Sequence, residues 1–113
     1  MPVAIQDPAW MARVREMVAR SEAIAAEMNK PEVATNGAII TRLAQEHGQL
    51  EKTARLYREY RSATDQLNES QEIIDAGDDP DLTQLAQAEL PTLQEKRNRL
   101  IKEMQERLVT GDE

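Results

Sequence analysis

The chain has 113 residues, which fits a single domain, and 40% of them are hydrophobic although only 3% are aromatic and none is phenylalanine. A core of leucine, isoleucine, valine, alanine and methionine is typical of helical bundles and rare in all-β domains. The net charge of −7 is unevenly distributed, with +1 on residues 1–62 and −8 on residues 63–113. This distribution argues against strong nucleic-acid binding by the domain alone and fits a basic protein partner.

The first predicted helix covers residues 8–29. Its inward positions alternate spacings of four and three, as on one helix face, and they are Trp10, Val14, Met17, Ser21, Ile24 and Met28. Asp7 and Pro8 form the expected start, a capping side chain followed by proline at the first helical position. Pro31 ends the helix, and a single turn is expected at residues 32–34. The heptad spacing of the tryptophan and methionines favours packing against other helices over a partner surface.

The second predicted helix covers residues 37–76 and dominates the fold. Its stripe is Ile40, Leu43, His47, Leu50, Ala54, Tyr57, Tyr60, Thr64, Leu67 and Ile74, and it drifts around the helix because the helical period is about 3.6 residues. Asn36 is the expected N-terminal cap, and Gly77 is the expected left-handed residue at the C-terminal end. At about 1.5 Å per residue the helix is about 55–60 Å long, which predicts an elongated molecule.

The third predicted helix covers residues 80–109, and Asp79 with Pro80 repeats the cap-and-proline start. Its apolar positions are Leu82, Leu85, Ala86, Leu90, Leu93, Leu100, Ile101, Met104 and Leu108. Pro91 is expected to kink or divide the helix near residues 86–90, since proline removes a backbone donor. The three segments predict an all-α fold: an elongated antiparallel three-helix bundle with coiled-coil-like packing and one very long central helix.

Residues able to do chemistry are scarce. His47 is the single histidine, and its place on the apolar stripe favours a partly buried core or boundary position. The absence of cysteine excludes disulfides and thiolate metal ligands and fits a reducing cytoplasm. Carboxylate pairs such as Asp65 with Glu69 favour a solvated helix face over a cation site. The sequence has no phosphate-binding glycine loop, signal-peptide pattern or membrane span, and we predict no catalytic residue, no cofactor and no metal.

A basic strip crosses the middle of the second helix. It consists of Lys52, Arg55, Arg58 and Arg61, which follow one another at three-residue spacing. Such a strip is a candidate for contact with RNA phosphates or with an acidic protein surface. Glu51 and Glu59 lie within one turn of it, so ion pairing inside the helix is the favoured interpretation.

Several short segments, taken in order, resemble the N-terminal domain of the bacterial class I peptide chain release factors over nearly the whole chain. They are Asn29-Lys30-Pro31-Glu32-Val33, Leu43-Ala44-Gln45-Glu46-His47 with Leu50-Glu51, Tyr57-Arg58-Glu59-Tyr60, Glu72-Ile73-Ile74, and Asp79-Pro80-Asp81-Leu82 with Leu85-Ala86 and Glu89. Pro91 and residues 109–113 depart from the family pattern.

The resemblance implies that residues 1–113 are one N-terminal helical domain of a longer translation termination factor. In that family the domain projects near the stalk base of the large ribosomal subunit, while other parts of the protein recognise stop codons and trigger peptidyl-tRNA hydrolysis. The family's Gly-Gly-Gln loop and Pro-x-Thr codon-reading tripeptide have no counterpart in this sequence. The implied partners are the ribosome and the other release-factor domains, with no enzyme activity in this domain, no membrane partner and a cytoplasmic location.

Physical arguments alone leave an alternative open. A long amphipathic helix suits a stand-alone homodimeric coiled-coil adaptor or chaperone-like module equally well. A regulatory metal-binding bundle that uses the acidic run is a weaker third interpretation, because its carboxylates lack a histidine partner. An obligate dimer at low protein concentration would favour the adaptor.

Overall fold

The computed structural model describes residues 8–109, and within them the chain forms four helices and no strand. Helix α1 covers Met11–Met28, the single-turn helix α2 covers Pro31–Ala34, α3 covers Gly37–Ala76 and α4 covers Pro80–Val109. The three long helices pack antiparallel with α3 between the other two, which confirms the predicted all-α bundle.

The shape of the molecule follows from the length of α3. Its 40 residues account for about 60 Å at 1.5 Å per residue, and the long axis of the molecule measures 59 Å against 31 and 20 Å for the others. The radius of gyration is 18.6 Å, whereas a compact domain of this length has about 13 Å. The molecule is therefore an elongated rod, as predicted.

Both ends of α3 are closed by the residues that the sequence indicates. The Asn36 side-chain oxygen accepts a hydrogen bond from the Ile39 backbone N–H at 3.2 Å. At the other end Gly77 adopts φ 61°, in the left-handed region, and its N–H donates to the Ile73 carbonyl at 3.1 Å. These two caps confirm the predicted bounds of the long helix.

Helix α4 begins as predicted but is not divided at Pro91. The Asp79 carboxylate accepts from the N–H groups of Asp81 and Leu82 at 2.9 and 3.3 Å, and Pro80 is the first helical residue. Of the predicted kink or division near residues 86–90, the division does not occur, because one helix continues through the proline to Val109. Pro91 and Gln87 are both exposed, so water can solvate the Gln87 carbonyl that loses its helical partner.

Helix α1 starts three residues later than predicted, at Met11 instead of Pro8. The predicted cap Asp7 lies outside the described residues. Pro8 instead begins a tight turn, in which its carbonyl accepts from the Met11 N–H at 2.9 Å. The expected single turn after α1 is confirmed as α2, which begins at Pro31.

The larger core cluster lies in the middle of the rod, where α1, α3 and α4 meet. Its buried side chains are Met11, Val14, Val18, Ala54, Tyr57, Tyr60, Ala63, Leu100 and Met104. Trp10 packs against this cluster, and Met28 packs against the second one, which confirms their predicted structural role. The Arg97 guanidinium lies 5.8 Å from the centre of the Tyr60 ring, a cation–π contact that ties α4 to α3.

The two ends of the rod differ in construction. Near the start of α3, a second cluster joins Ile24 of α1, Val33 of α2 and Leu43 of α3. At the other end, residues 64–93 form a two-helix segment of α3 and α4 that we call the hairpin tip. Its buried side chains, Leu67, Ser70 and Ala86, belong to neither cluster, and its surface grooves are lined by α3 and α4 alone.

Candidate partner-contact surface

The four basic side chains of the predicted strip are spread around α3 instead of sharing one face. Residues three apart on an α-helix are separated by about 300°, so each member lies about 60° behind the one before it. Lys52 and Arg61 therefore lie on nearly opposite sides of α3. All four side chains are exposed, so the strip divides into two pairs with different neighbours.

Lys52 and Arg55 line a groove between α3 and α4, which we call the basic-strip groove. It encloses about 400 Å³, and its other lining residues are Leu56, Glu59, Glu103, Glu106 and Arg107. Arg107 is held in place by donating from Nε to the hydroxyl of the buried Thr53 at 3.1 Å. Within residues 8–109 neither Lys52 nor Arg55 forms an ion pair, so both cations are available to a partner.

Arg58 and Arg61 do not line that groove and have contacts on α3 itself. Arg58 Nη1 lies 3.3 Å from Glu51 Oε1, and His47 Nε2 lies 3.6 Å from Oε2 of the same carboxylate. Arg61 Nη1 donates to the Tyr57 hydroxyl at 3.3 Å. Pairing inside the helix thus accounts for Arg58, and His47 is a half-buried boundary residue, as predicted.

A short ion pair joins α1 to α3. Arg20 Nε lies 2.6 Å from Glu46 Oε2, and Arg20 Nη2 donates to Glu46 Oε1 at 2.8 Å, a bidentate arrangement. The hydrogen bond from Arg20 holds the pKa of Glu46 below its ordinary value, and the same bond raises the pKa of Arg20. The sequence does not indicate this pair, because its members lie 26 residues apart on different helices.

Among residues 8–109 there is no group of three histidine, cysteine or carboxylate side chains that could hold a metal ion. Asp65, Glu69 and Glu72 are exposed on α3, as the solvated-face interpretation requires. No helix in the described part of the chain is long and apolar enough to cross a membrane. What these arrangements can do is bind a partner through charge and apolar contact.

A second groove lies on the hairpin tip and was missed by the sequence analysis. We call it the tip groove; it encloses about 240 Å³ and includes Glu69, Ile73, Leu82, Leu85, Glu89 and Leu93. The leucines were expected to pack as part of the α4 stripe, yet Leu82 is 49% exposed and Leu85 56% exposed.

The chain is thus an elongated, all-α helical domain whose grooves carry charged and apolar side chains. Residues 17–113 match the family model of the PCRF domain. The chain therefore belongs to the PCRF-domain family, as an N-terminal domain of the peptide chain release factor type, which confirms the resemblance.

Similar proteins agree with this assignment. Peptide chain release factor 1 of Syntrophomonas wolfei is 34% identical over 85 residues, which are 75% of this chain and 24% of that protein. The protein of the same name from Bacillus licheniformis is 26% identical over 100 residues, 88% of this chain and 28% of the relative. The one from Clostridioides difficile is 34% identical over 70 residues, 62% of this chain and 20% of the relative.

The chain spans about a quarter of the length of the curated relatives that it matches. No solved structure matches it significantly. The family assignment consequently depends on sequence similarity, and the helical architecture is consistent with it.

Proposed function

We propose that this domain positions a translation termination factor on the ribosome, near the stalk base of the large subunit. In this proposal the chain is one domain of a longer cytoplasmic release factor and does no chemistry itself. Stop-codon recognition and peptidyl-tRNA hydrolysis belong to other domains of that factor. The observation that carries the proposal is the family match over residues 17–113, together with relatives named peptide chain release factor 1.

The shape and surface of the molecule support a positioning role. A rod 59 Å long can bridge two points on a large assembly, and its core in the middle holds the two ends at a fixed separation. Its exposed grooves carry charged side chains that are suited to contact and not to catalysis. We propose Lys52, Arg55, Arg58 and Arg61 as contact residues, with Lys52 and Arg55 the stronger contributors because they form no ion pair within residues 8–109.

Co-sedimentation with purified bacterial 70S ribosomes tests the positioning role. The chain should pellet with ribosomes in saturable fashion, and an excess of full-length release factor 1 should displace it. Large subunits stripped of the stalk-base protein should lose this binding. Equal pelleting with intact and stripped particles would contradict the proposed location.

A pair of matched variants tests the contact residues. Lys52→Gln with Arg55→Gln should weaken ribosome binding about tenfold, because a hydrogen bond to a charged group contributes about 1.5–3 kcal/mol and 1.4 kcal/mol is a factor of ten. Arg13→Gln with Lys96→Gln removes the same charge from exposed positions on α1 and α4 and should change binding less than about twofold. If both pairs of substitutions weakened binding equally, the effect of Lys52 and Arg55 would be one of nonspecific charge.

A release assay tests the division of labour. With formylmethionyl-tRNA on ribosomes that carry a stop codon, the chain alone should release no formylmethionine above the buffer rate. Release at the rate of full-length release factor 1 would overturn the proposal. Light scattering addresses the adaptor alternative, since an obligate dimer of the 12.8 kDa chain that fails to bind ribosomes would favour a stand-alone coiled-coil module.

A further inference from the structure

The tip groove exposes a continuous apolar surface. A single exposed leucine is ordinary, but several apolar side chains that line one groove mark an interaction site. Leu82 and Leu85 lie three residues apart on α4, about half of each side chain is exposed, and Ile73 of α3 and Leu93 of α4 line the same groove. The patch is therefore contiguous and shared by both helices.

The length of the groove along α4 matches that of a short helix. From Leu82 to Leu93 the groove follows α4 for eleven residues, about 17 Å, which is the length of about three helical turns. The groove continues the side of α3 that lines the basic-strip groove, because Glu59, Gln66 and Ile73 follow one another at seven-residue spacing. At the hairpin tip the described residues supply no third helix.

The charge around the groove selects the partner. Nine acidic residues and no basic one lie between Arg61 and Lys96, and this segment contains the entire tip. Glu69 of α3 and Glu89 of α4 both line the groove. Such a surface repels nucleic acid, anionic lipid and the tip of a second copy of this chain, and it attracts lysine and arginine.

We propose that the tip groove binds a basic amphipathic α-helix of another protein. The apolar face of that helix covers Leu82, Leu85 and Ile73, and its lysine and arginine side chains pair with Glu69 and Glu89. This is helix-in-groove recognition, in which apolar residues at spacings of three and four anchor the helix and charges at the rim set its specificity.

Fluorescence anisotropy with a designed peptide tests the proposal. The probe is a labelled helical peptide of about 14 residues, with leucine on one face and lysine on the other. We expect saturable one-to-one binding to the full chain that weakens as salt increases. A second peptide, with glutamate in place of each lysine, should show no saturable binding; equal binding of both peptides would overturn the charge argument.

Matched variants locate the binding site. Leu82→Ser with Leu85→Ser should weaken peptide binding about tenfold or more, because each exposed leucine surface loses its apolar contact. Val109→Ser removes an even more exposed apolar side chain from the far end of α4 and should leave affinity within about twofold. Glu69→Gln with Glu89→Gln should weaken binding several-fold, whereas Glu16→Gln with Glu22→Gln on α1 should not.

Two outcomes would overturn the proposal. The first is unchanged binding by the double serine variant, provided that its circular dichroism and melting match the wild type. The second is a wild-type dimer, measured by sedimentation velocity, that the double serine variant converts to monomer, because the groove would then bind a second copy of the chain. The peptide assay uses no ribosome, so its failure leaves the ribosome-binding test of the proposed function unaffected.

Discussion

The middle of the rod and the hairpin tip are built on the same helix, yet they bury their leucines to very different extents. In the middle, where α1, α3 and α4 meet, Leu100 and Tyr60 are each 1% exposed. At the tip, where α3 pairs with α4 alone, Leu85 on the same α4 is more than half exposed. The tip still buries Leu67 and Ala86 between its two helices, so burial there is confined to the interface of α3 with α4.

The comparison predicts that stability is unevenly distributed. Packing stabilises most protein helices more than intrinsic propensity does. The tip, with few buried side chains, should open locally at lower free energy than the three-helix middle. Amide hydrogen exchange would show this as faster exchange on both sides of Gly77 than around Tyr60.

The largest expected effect on stability comes from truncating a leucine side chain to alanine in each region. Leu100→Ala should lower the free energy of unfolding by about 2–5 kcal/mol, because it leaves a cavity in an enclosed core. Leu85→Ala should cost less than about 1 kcal/mol, because much of that side chain is already in water. Urea denaturation of both variants measures the difference, and equal losses would show that the two regions are packed alike.

Pro91 lies at the boundary between the two regions, and its substitution should increase stability. Pro91→Ala should raise the free energy of unfolding by about 1–3 kcal/mol, because it restores a hydrogen bond to the Gln87 carbonyl inside α4. Pro80→Ala is the matched control at the first helical position, where proline costs nothing, and should be nearly neutral. A loss of stability in the Pro91 variant would mean that the proline is needed for the path of α4.

Two glycines, Gly48 inside α3 and Gly77 directly after it, should respond in opposite directions. Gly77→Ala should cost about 1–2 kcal/mol, since φ is 61° there and a side chain in the left-handed region is strained. Gly48→Ala should add about 0.5–1 kcal/mol, because no atom lies within 4 Å of the new side chain and alanine favours the helix. Thermal melts of both variants check the signs. A stable Gly77 variant would show that the tip turn tolerates another conformation.

Much of this architecture could be predicted from local sequence, because local rules determine it. The caps at Asn36, Gly77 and Asp79 depend on neighbouring residues, and the helix bounds followed from them. Helix α1 begins later than predicted because Pro8 starts a tight turn. Helix α4 is not divided at Pro91, where exposure lets water solvate the freed Gln87 carbonyl.

The candidate surfaces were harder to predict, because they depend on how the helices combine. The basic strip can be identified in the sequence. Only the position of α4 shows that Lys52 and Arg55 line a groove and that Arg58 does not. The tip groove lies at the edge of the interface between α3 and α4, and periodicity alone does not show which leucines of α4 lie at that edge.

The smallest expected effect concerns the Arg20–Glu46 pair, which ties α1 to α3 on the side of the rod away from the tip. The pKa of Glu46 is depressed in the folded state by the hydrogen bond from Arg20, so the pair stabilises the fold fully above the ordinary glutamate pKa of about 4.3. This contribution is lost as the pH falls through the depressed pKa, because protonation removes the charge that Arg20 binds. Both side chains are substantially exposed, so the effect should be small and should shrink in salt. Carbon-detected NMR titration should find the Glu46 pKa below its ordinary value in the wild type and close to it in Arg20→Gln. An unchanged titration in that variant would show that another group, such as the nearby Arg42, sets the pKa of Glu46.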